Sequence, residues 1–416
     1  MNKKLVSAVL LLSSAAFGQT VEEKIKELEQ QQQQIIDEIA QLREEITIPE
    51  LKPQTFSGMG YAASKVYFSP QGLSIGGYGE IIYMNYQSSS KKDKTDMYRF
   101  IPYIGYKFTD SIILNAEIEF EHGANTERGG EVTVEFLYLD FLFNENFNLR
   151  LGNFLIPVGI TNLLHEPIFF NSVNRPEVET KIIPSTWNEN GVMLFSSKDD
   201  WNYYLAVVNG FHATKKGEIG FTSDKWVRNG RQAGANAVAE DFAVVGRIDY
   251  TAVDGLFLGA SVYHGNSGQG ERYNGEKIDG TVTIYEIHGK YRFKEFELTG
   301  IYVSGSLSDA DKISLYNGEV IGKNVYGYYL NLAYDVAQKL GKDFNLPVFV
   351  RYERYNTQDK VPSGFTADPN NDKTVWTVGI NYRPIPNVVL KADYQFRDNK
   401  GSGEADIFEL GLGFIF

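Results

Sequence analysis

The feature that most restricts the fold of this chain is a period-two alternation between an apolar face and a charged face. In the run 390–397 the even positions are apolar or aromatic, and the odd positions are Lys391, Asp393, Gln395 and Arg397. A closed sheet with this pattern needs an apolar medium outside and water inside, which is the arrangement of a membrane β-barrel. The alternation therefore predicts strands that pass through a bilayer and enclose a wet lumen.

The last ten residues repeat the pattern up to the final position. Phe408, Leu410, Leu412, Phe414 and Phe416 share one face of an extended strand, opposite Glu409 and two glycines. An aromatic-rich strand of this kind is typical of the closing strand of a membrane barrel, because lipid tolerates no open sheet edge. An ordinary C-terminal strand of a soluble sheet is the alternative.

The composition excludes several other classes of protein. No apolar run of about 18 residues occurs beyond the N-terminus, so a helical membrane protein is excluded. The absence of Cys excludes disulfides and thiolate metal sites. The net charge of −13 argues against a nucleic-acid partner, which requires a basic face.

Sixteen strand-like runs lie between residues 73 and 416, and this range is predicted to be the barrel. Seven short turns alternate with longer loops rich in Gly, Asn, Asp and Lys. An even number of antiparallel strands with both ends on one side gives this alternation, with the longer loops outside the cell. The predicted fold class is all-β, a 16-stranded antiparallel transmembrane barrel.

The N-terminal region is predicted to contain three further segments. Residues 1–18 combine two lysines, a short apolar stretch and a small-residue cleavage site, as in a secretory signal peptide. Residues 19–48 form an α-helical coiled coil, and residues 49–72 form a linker. The coiled-coil seam has heptad spacing: Val21, Ile25, Leu28, Gln32, Ile35, Ile39, Leu42 and Ile46. The mixed Ile and Leu seam favours a trimer, and a single amphipathic helix packed on a domain is the alternative.

Residues 157–189 form the third external loop, which is long enough to suggest a function. By position it matches the loop that narrows many general porins. Its candidate constriction residues are His165, Glu166, Arg175, Glu177, Glu179 and Lys181. Packing over the barrel mouth or onto a neighbouring subunit is the alternative.

Alternation also predicts a lumen wall with charges of both signs. The candidates are Arg99, Glu117, Glu119, Arg150, Arg247, Glu286, Lys290, Arg292, Arg351, Glu353, Lys391, Asp393 and Arg397. A mixed wall suits many small polar solutes, whereas an anion filter needs a close basic cluster. Pairing of these charges across strands to stiffen the wall is the structural alternative.

Several short segments resemble the phosphate-selective porins O and P and their relatives. They include Gly76-Gly77-Tyr78-Gly79-Glu80, Asn174-Arg175-Pro176-Glu177-Val178-Glu179 and Phe349-Val350-Arg351-Tyr352-Glu353-Arg354-Tyr355. The resemblance covers residues 73–416. It implies a trimeric, sixteen-stranded porin in the outer membrane of a Gram-negative-type cell.

These observations together predict a porin for passive diffusion of small hydrophilic solutes and ions. Its partners would be the lipid bilayer and two copies of itself, with no cofactor, no metal and the coiled coil in the periplasm. A phosphate- or anion-selective channel is one alternative. A structural protein that tethers the envelope through its coiled coil is another. An enzyme is disfavoured, because the five histidines have no defensible spacing to a nucleophile.

Overall fold

The computed structural model describes residues 21–46, 51, 53–87, 90–123 and 129–416. They belong to two compact units, Met1–Glu50 and Leu51–Phe416. The predicted signal peptide at residues 1–18 lies outside the described residues.

The first unit contains one long helix, α1 (Val21–Ile46), within the range predicted as a coiled coil. Its sequence is rich in Glu, Gln and Ile, and it contains no Gly or Pro. The seam residues Ile25, Leu28 and Ile35 are more than half exposed. Among the described residues, no helix has the length and apolar character needed to cross a membrane.

The second unit is a barrel of sixteen strands. They are β1 (Gly72–Tyr86), β2 (Lys94–Thr109), β3 (Ile112–Glu121), β4 (Glu131–Asn144), β5 (Phe147–Leu155), β6 (Asn188–Lys198), β7 (Trp201–Asn209), β8 (Phe242–Tyr250), β9 (Leu256–Gly265), β10 (Val282–Phe293), β11 (Phe296–Leu307), β12 (Asn324–Asp335), β13 (Pro347–Lys360), β14 (Asp372–Ile385), β15 (Val388–Asn399) and β16 (Ile407–Ile415).

The sheet closes on itself because β1 pairs antiparallel with both β2 and β16. The register of the closing pair runs from Tyr78 opposite Ile415 to Tyr86 opposite Ile407. Gly77 and Phe416 extend this ladder by exchanging two backbone hydrogen bonds of 3.0 and 2.9 Å. The predicted sixteen-stranded antiparallel barrel, including its closing C-terminal strand, is confirmed.

The two faces of the barrel wall differ as the alternation predicts. Large apolar side chains such as Leu205, Ile287 and Leu330 are more than half exposed on the outside. Exposed aromatic side chains cluster near the short turns, for example Trp201 beside Tyr250 with ring centroids 4.6 Å apart. Such an apolar band with an aromatic edge is the outer surface of a membrane barrel.

The connections differ in length at the two ends of the barrel, which we call the short-turn end and the long-loop end. Besides α1, the described helices are α2 (Tyr61–Ser64), α3 (Val178–Lys181), α4 (Ala310–Asn317) and α5 (Val336–Lys339), with 3-10 turns at Lys65–Phe68, Arg228–Gly230 and Pro369–Asn371. A two-stranded hairpin, Arg272–Tyr273 with Glu276–Lys277, lies in the loop after β9.

One connection at the short-turn end contains a helix. Between β12 and β13 the chain forms α5, which begins at Val336. The Asp335 carboxylate accepts the Gln338 N–H at 3.0 Å and caps this short helix. It also accepts the Leu346 N–H at 3.0 Å, which brings the chain back to β13.

The segment before β1 differs from the linker expected over residues 49–72. Residues 61–68 form α2 and a 3-10 turn, with Ala62, Ala63 and Val66 almost fully buried. The Tyr67 hydroxyl donates to Asp140 of β4 at 2.7 Å, and the Lys65 ammonium donates to the Ile75 carbonyl at 2.8 Å. This segment therefore fills the lumen at the short-turn end.

The outward apolar face generates a prediction about stability in the membrane. Ile287 is the sixth residue of the twelve in β10 and points to the lipid, so Ile287→Arg places a charge near the middle of the bilayer. We expect the free energy of unfolding to fall by about 2–4 kcal/mol. Reversible denaturant unfolding in lipid vesicles measures this change.

The matched control is Val253→Arg, in the turn between β8 and β9, where Val253 is also exposed. A charge near the interface costs about 0–1 kcal/mol. Equal losses in the two variants would contradict the membrane orientation described above.

Candidate functional site

The loop between β5 and β6 lies inside the barrel. Its ends are joined where the Ile156 N–H donates to the Trp187 carbonyl at 2.8 Å. The Asn162 side-chain amide donates to both of these residues' carbonyls, and its oxygen accepts the Trp187 N–H at 2.7 Å. Asn162 thus fixes the base of the loop, from which the rest of residues 156–187 extends into the lumen.

Glu179, on α3, holds the loop in its folded shape. Its carboxylate accepts the backbone N–H groups of Ile160 at 2.7 Å and Thr161 at 2.6 Å. It also accepts the hydroxyl of Tyr329 on β12 at 2.7 Å. Charged acceptors make the stronger protein hydrogen bonds, so this predicted constriction residue acts within the loop as a structural tie.

Lumen charges on β13 and β15 bind the backbone of the loop. The Lys391 ammonium donates to the carbonyls of Phe170 and Ser172, both at 2.9 Å. The Asp393 carboxylate accepts the Val173 N–H at 2.6 Å, and Arg351 donates to the Ser172 hydroxyl. These buried charges fix residues 170–173 against one side of the wall.

Further lumen charges bind other parts of the loop in the same way. Arg247 donates to the Gly159 carbonyl, and Glu286 accepts the Gly159 N–H at 3.3 Å. Glu353 accepts the Val178 N–H at 3.2 Å and pairs with Arg351 at 2.7 Å. The positive φ of Gly159, 78°, suits this tight approach, because a side chain there would meet Glu179.

Other predicted lumen residues pair with one another along the wall. Arg150 binds Asp140 at 2.7 Å, and Arg99 binds Glu80 at 3.2 Å and Glu119 at 3.0 Å. Lys290 and Arg292 both pair with Glu297, at 3.0 and 2.6 Å. These contacts follow the structural alternative, in which charges stiffen the wall by pairing across strands.

Of the predicted loop residues, Glu166 faces the lumen-filling segment before β1, and His165 faces the barrel wall. Glu166 accepts the backbone N–H groups of Ala62 at 3.0 Å and Ala63 at 3.1 Å. His165 lies 3.2 Å from Glu117 on β3, measured from its Nε2 atom. Both side chains are 1% exposed, so they lie in the packed interior of the barrel.

Arg175, Glu177 and Lys181 line a cavity of about 430 Å³ at the long-loop end, which we call the outer cavity. Glu177 pairs with Arg397 and accepts the Tyr355 hydroxyl. Burial alone would raise the pKa of Glu177, but the charges of Arg397 and Lys181 and this hydroxyl outweigh it and lower the pKa to about 2. Glu177 is therefore ionised throughout the physiological range.

Two smaller cavities continue from the outer cavity toward the short-turn end. The middle cavity has about 40 Å³ and is lined by Phe170, Asn171 and Arg351, among others. The inner cavity has about 130 Å³. Phe170 lines both the outer and the middle cavity, and Asn171 and Glu297 line both the middle and the inner cavity. The smallest of the three volumes therefore lies beside Phe170 and Asn171.

The candidate constriction residues did not include Phe170 or Asn171. The Phe170 ring lies 3.8 Å from the Lys391 ammonium, and Asn171 accepts the Asn381 amide at 3.1 Å. Alternation marks wall residues, but it gives no information about an irregular loop. The run Phe169-Phe170-Asn171, two aromatic residues in a polar loop, was the available signal.

The loop between β7 and β8 contributes two arginines that sequence reasoning also missed. Arg228 and Arg231 both donate to the Ser185 carbonyl, at 3.2 and 2.7 Å. Burial and the neighbouring charges of Arg231 and Arg175 lower the pKa of Arg228 to about 9. Three guanidinium groups therefore lie close together beside the outer cavity.

Comparison with known proteins shows similarity to porins. An uncharacterised protein of Aquifex aeolicus (strain VF5) is 36% identical over 445 residues, covering the whole of both chains. Among solved structures, the outer-membrane channel DcaP of Acinetobacter baumannii has a TM-score of 0.55 at 13% identity, over 83% of this chain and 97% of that one. The trimer form of OmpT of Vibrio cholerae has a TM-score of 0.51 at 13% identity, over 83% and 100%. At these identities, the two structures show the fold alone.

The family model described as "Putative beta-barrel porin-2, OmpL-like" matches residues 187–413. This range covers more than half of the chain and includes β6 to β15 in full. The narrower resemblance to the phosphate-selective porins O and P stays a prediction. The chain belongs to the family of OmpL-like β-barrel porins of the outer membrane.

Proposed function

We propose that this porin passes small hydrophilic solutes and ions by passive diffusion, through a water-filled lumen narrowed by residues 156–187. The observation that carries the proposal is the series of three cavities with shared lining residues along the lumen. Charged and polar side chains line most of this route, so water and hydrated ions replace a dry core.

The position of Phe170 supports a constriction at the middle cavity. Its ring lies between the outer and middle cavities, and its carbonyl is fixed by Lys391 of the wall. A rigidly held aromatic ring at the smallest volume sets the cross-section there. This assignment moves the constriction away from His165, Glu166 and Glu179, whose side chains are engaged in packing the loop.

Planar-bilayer recording of the purified protein tests both parts of this proposal. The wild type should give discrete channel events, and Phe170→Ala should raise the single-channel conductance because it removes the ring. Phe242→Ala is the matched control, since Phe242 on β8 is 56% exposed on the outer face. An absence of channel events in the wild type would reject the porin proposal. Unchanged conductance in Phe170→Ala would reject only the constriction.

A preference for anions is a second candidate, supported by the arginines beside the outer cavity. Among the described residues, Arg175, Arg228 and Arg231 have no carboxylate within 4.0 Å, whereas Arg99 and Arg397 of the same cavity are paired. The Arg175 Nε and Nη1 atoms also have no hydrogen-bond partner in the part of the chain that the structure describes. Unpaired guanidinium groups can replace part of the hydration shell of an anion such as phosphate or a carboxylate.

Reversal potentials in a salt gradient test this preference. We expect the wild type to favour chloride over potassium. Arg228→Gln should shift the reversal potential toward the equilibrium potential of potassium. The control is Arg272→Gln, an exposed arginine of the external hairpin outside the outer cavity. A wild type that favours potassium, or an Arg228→Gln variant that matches the wild type, would contradict the anion assignment.

We further propose that α1 assembles three copies of the chain through a coiled coil in the periplasm. The heptad spacing supports this arrangement, as does the exposure of Ile25, Leu28 and Ile35 on one long helix. The solved OmpT structure described as a trimer form has the same fold as the barrel unit.

Substitution of the seam tests the assembly. Leu28→Asp with Ile35→Asp should lower the oligomer mass in detergent, measured by analytical ultracentrifugation, because two charges per chain would enter the apolar seam. Ile36→Asp is the matched control, since Ile36 is 50% exposed but lies off the seam. Trimers that persist in the seam variant would show that α1 does not determine assembly.

A further inference from the structure

Three metal-ligating side chains from separate parts of the fold meet inside the barrel. Glu117 comes from β3, Glu135 from β4 and His165 from the loop between β5 and β6. One ligand atom from each lies within 4.8 Å of the others, and the residues are 0%, 3% and 1% exposed. We call these residues the Glu-Glu-His cluster.

An irregularity in the sheet turns Glu135 toward this cluster. The register of β3 and β4 shifts between Glu117, opposite Phe136, and Ile118, opposite Val134, which leaves Glu135 as the extra residue of a β-bulge. Val134 and Leu137 face outward and are 47% and 49% exposed, while Glu135 and Phe136 between them are both buried. Bulges of this kind re-aim side chains near functional sites.

The hydrogen bonds of His165 leave one ring nitrogen available to a cation. Its Nδ1 atom contacts the Asn162 carbonyl at 3.1 Å, and a carbonyl can only accept, so Nδ1 carries the proton. In the neutral ring the Nε2 lone pair then faces the Glu117 carboxylate at 3.2 Å and the Tyr103 hydroxyl, which can accept as well as donate, at 3.3 Å. A carboxylate and a ring lone pair at this distance need a proton or a metal ion between them. A backbone carbonyl that fixes the tautomer is also the usual support of a metal-binding histidine.

The nearby arginines do not neutralise the two carboxylates. Arg99 is already bound by Glu80, Glu119 and Glu121. Arg175 forms no ion pair within 4.0 Å among the described residues, and its contacts are the Tyr78 hydroxyl and the His165 carbonyl. Within the part of the chain that the structure describes, one oxygen each of Glu117 and Glu135 has no hydrogen-bond partner. Two buried carboxyl groups with unused oxygens therefore remain at the cluster.

We propose that Glu117, Glu135 and His165 bind one divalent transition-metal ion, which joins the loop to the barrel wall. One imidazole nitrogen with two carboxylate oxygens suits Zn²⁺, Mn²⁺, Fe²⁺, Co²⁺ or Ni²⁺, whereas Mg²⁺ and Ca²⁺ take oxygen ligands. Bonds of about 2.1 Å place tetrahedral ligands about 3.4 Å apart. Small side-chain rotations bring the three atoms from within 4.8 Å to this spacing.

Metal titration of the full-length folded protein tests the site directly. After treatment with a chelator, the wild type should bind one Co²⁺ or Zn²⁺ per chain by isothermal titration calorimetry, and Mg²⁺ at the same concentration should not displace it. Saturation with Zn²⁺ should raise the thermal unfolding midpoint, because the ion binds only the folded protein. No binding of Co²⁺ or Zn²⁺ would overturn the proposal.

Two variants identify the ligands. Glu135→Gln keeps the size of the side chain, and His165→Ala removes the imidazole. In each, the affinity for Zn²⁺ should fall by more than the ~10–100-fold typical of losing a group that only supports a ligand. His122→Ala is the control, since His122 lies near the surface against Asp96 at 2.6 Å and is outside the cluster. Wild-type affinity in Glu135→Gln would overturn the assignment.

A spectroscopic measurement on the wild type does not depend on the folding of a variant. The folding of each variant is checked separately by the heat-modifiable mobility of the barrel on a gel. Cu²⁺ bound at the Glu-Glu-His cluster should show, by pulsed electron paramagnetic resonance, nitrogen coupling from a single imidazole. His122→Ala should give the same signal. The absence of nitrogen coupling, or its loss in His122→Ala, would place the ion elsewhere and overturn the proposal.

Discussion

The pairing of β1 with β16 is the constraint on which the rest of the barrel depends. A strand in hydrocarbon has no water to satisfy its backbone groups, so every edge must be paired. The hydrogen bonds between Gly77 and Phe416 extend this seam to the last residue of the chain. Once the edge is closed, the sheet separates the lipid from the lumen. Alternate side chains along each strand then face the lipid or the lumen.

The lumen charges have a second role, which follows from that separation. Lys391, Asp393 and Glu353 each bind a backbone group of the loop, and Glu353 also pairs with Arg351 of the wall. A loop inside a barrel has backbone donors and acceptors that need partners, and ionised wall groups supply them at high strength. The same charged rows that exclude a dry core therefore also determine where the loop lies.

The sequence predicted the barrel well because the period-two alternation holds along most of each strand, and bulges such as the one at Glu135 interrupt it only locally. The number of strands, the charged lumen and the long third loop all follow from period-two alternation and turn spacing. The pattern did not reveal the packing of residues 53–69 in the lumen, since Met59 and Ala62 have no strand period. The sequence also did not predict the hydrogen bond from Lys391 to the Phe170 carbonyl. Every residue has a backbone carbonyl, so the loop sequence does not indicate which carbonyl a wall side chain will bind. Among the six loop candidates, the structure places Arg175, Glu177 and Lys181 at a cavity and the others in packing contacts.

The bond between Glu166 and the N–H groups of Ala62 and Ala63 has an architectural consequence. It is the meeting point of two inserts, one arriving from each mouth of the tube. Both inserts lie inside a closed sheet whose sixteen strands pair with their neighbours. The width of the lumen therefore depends on the two inserts, whereas the anchoring in the membrane depends on the strand pairing.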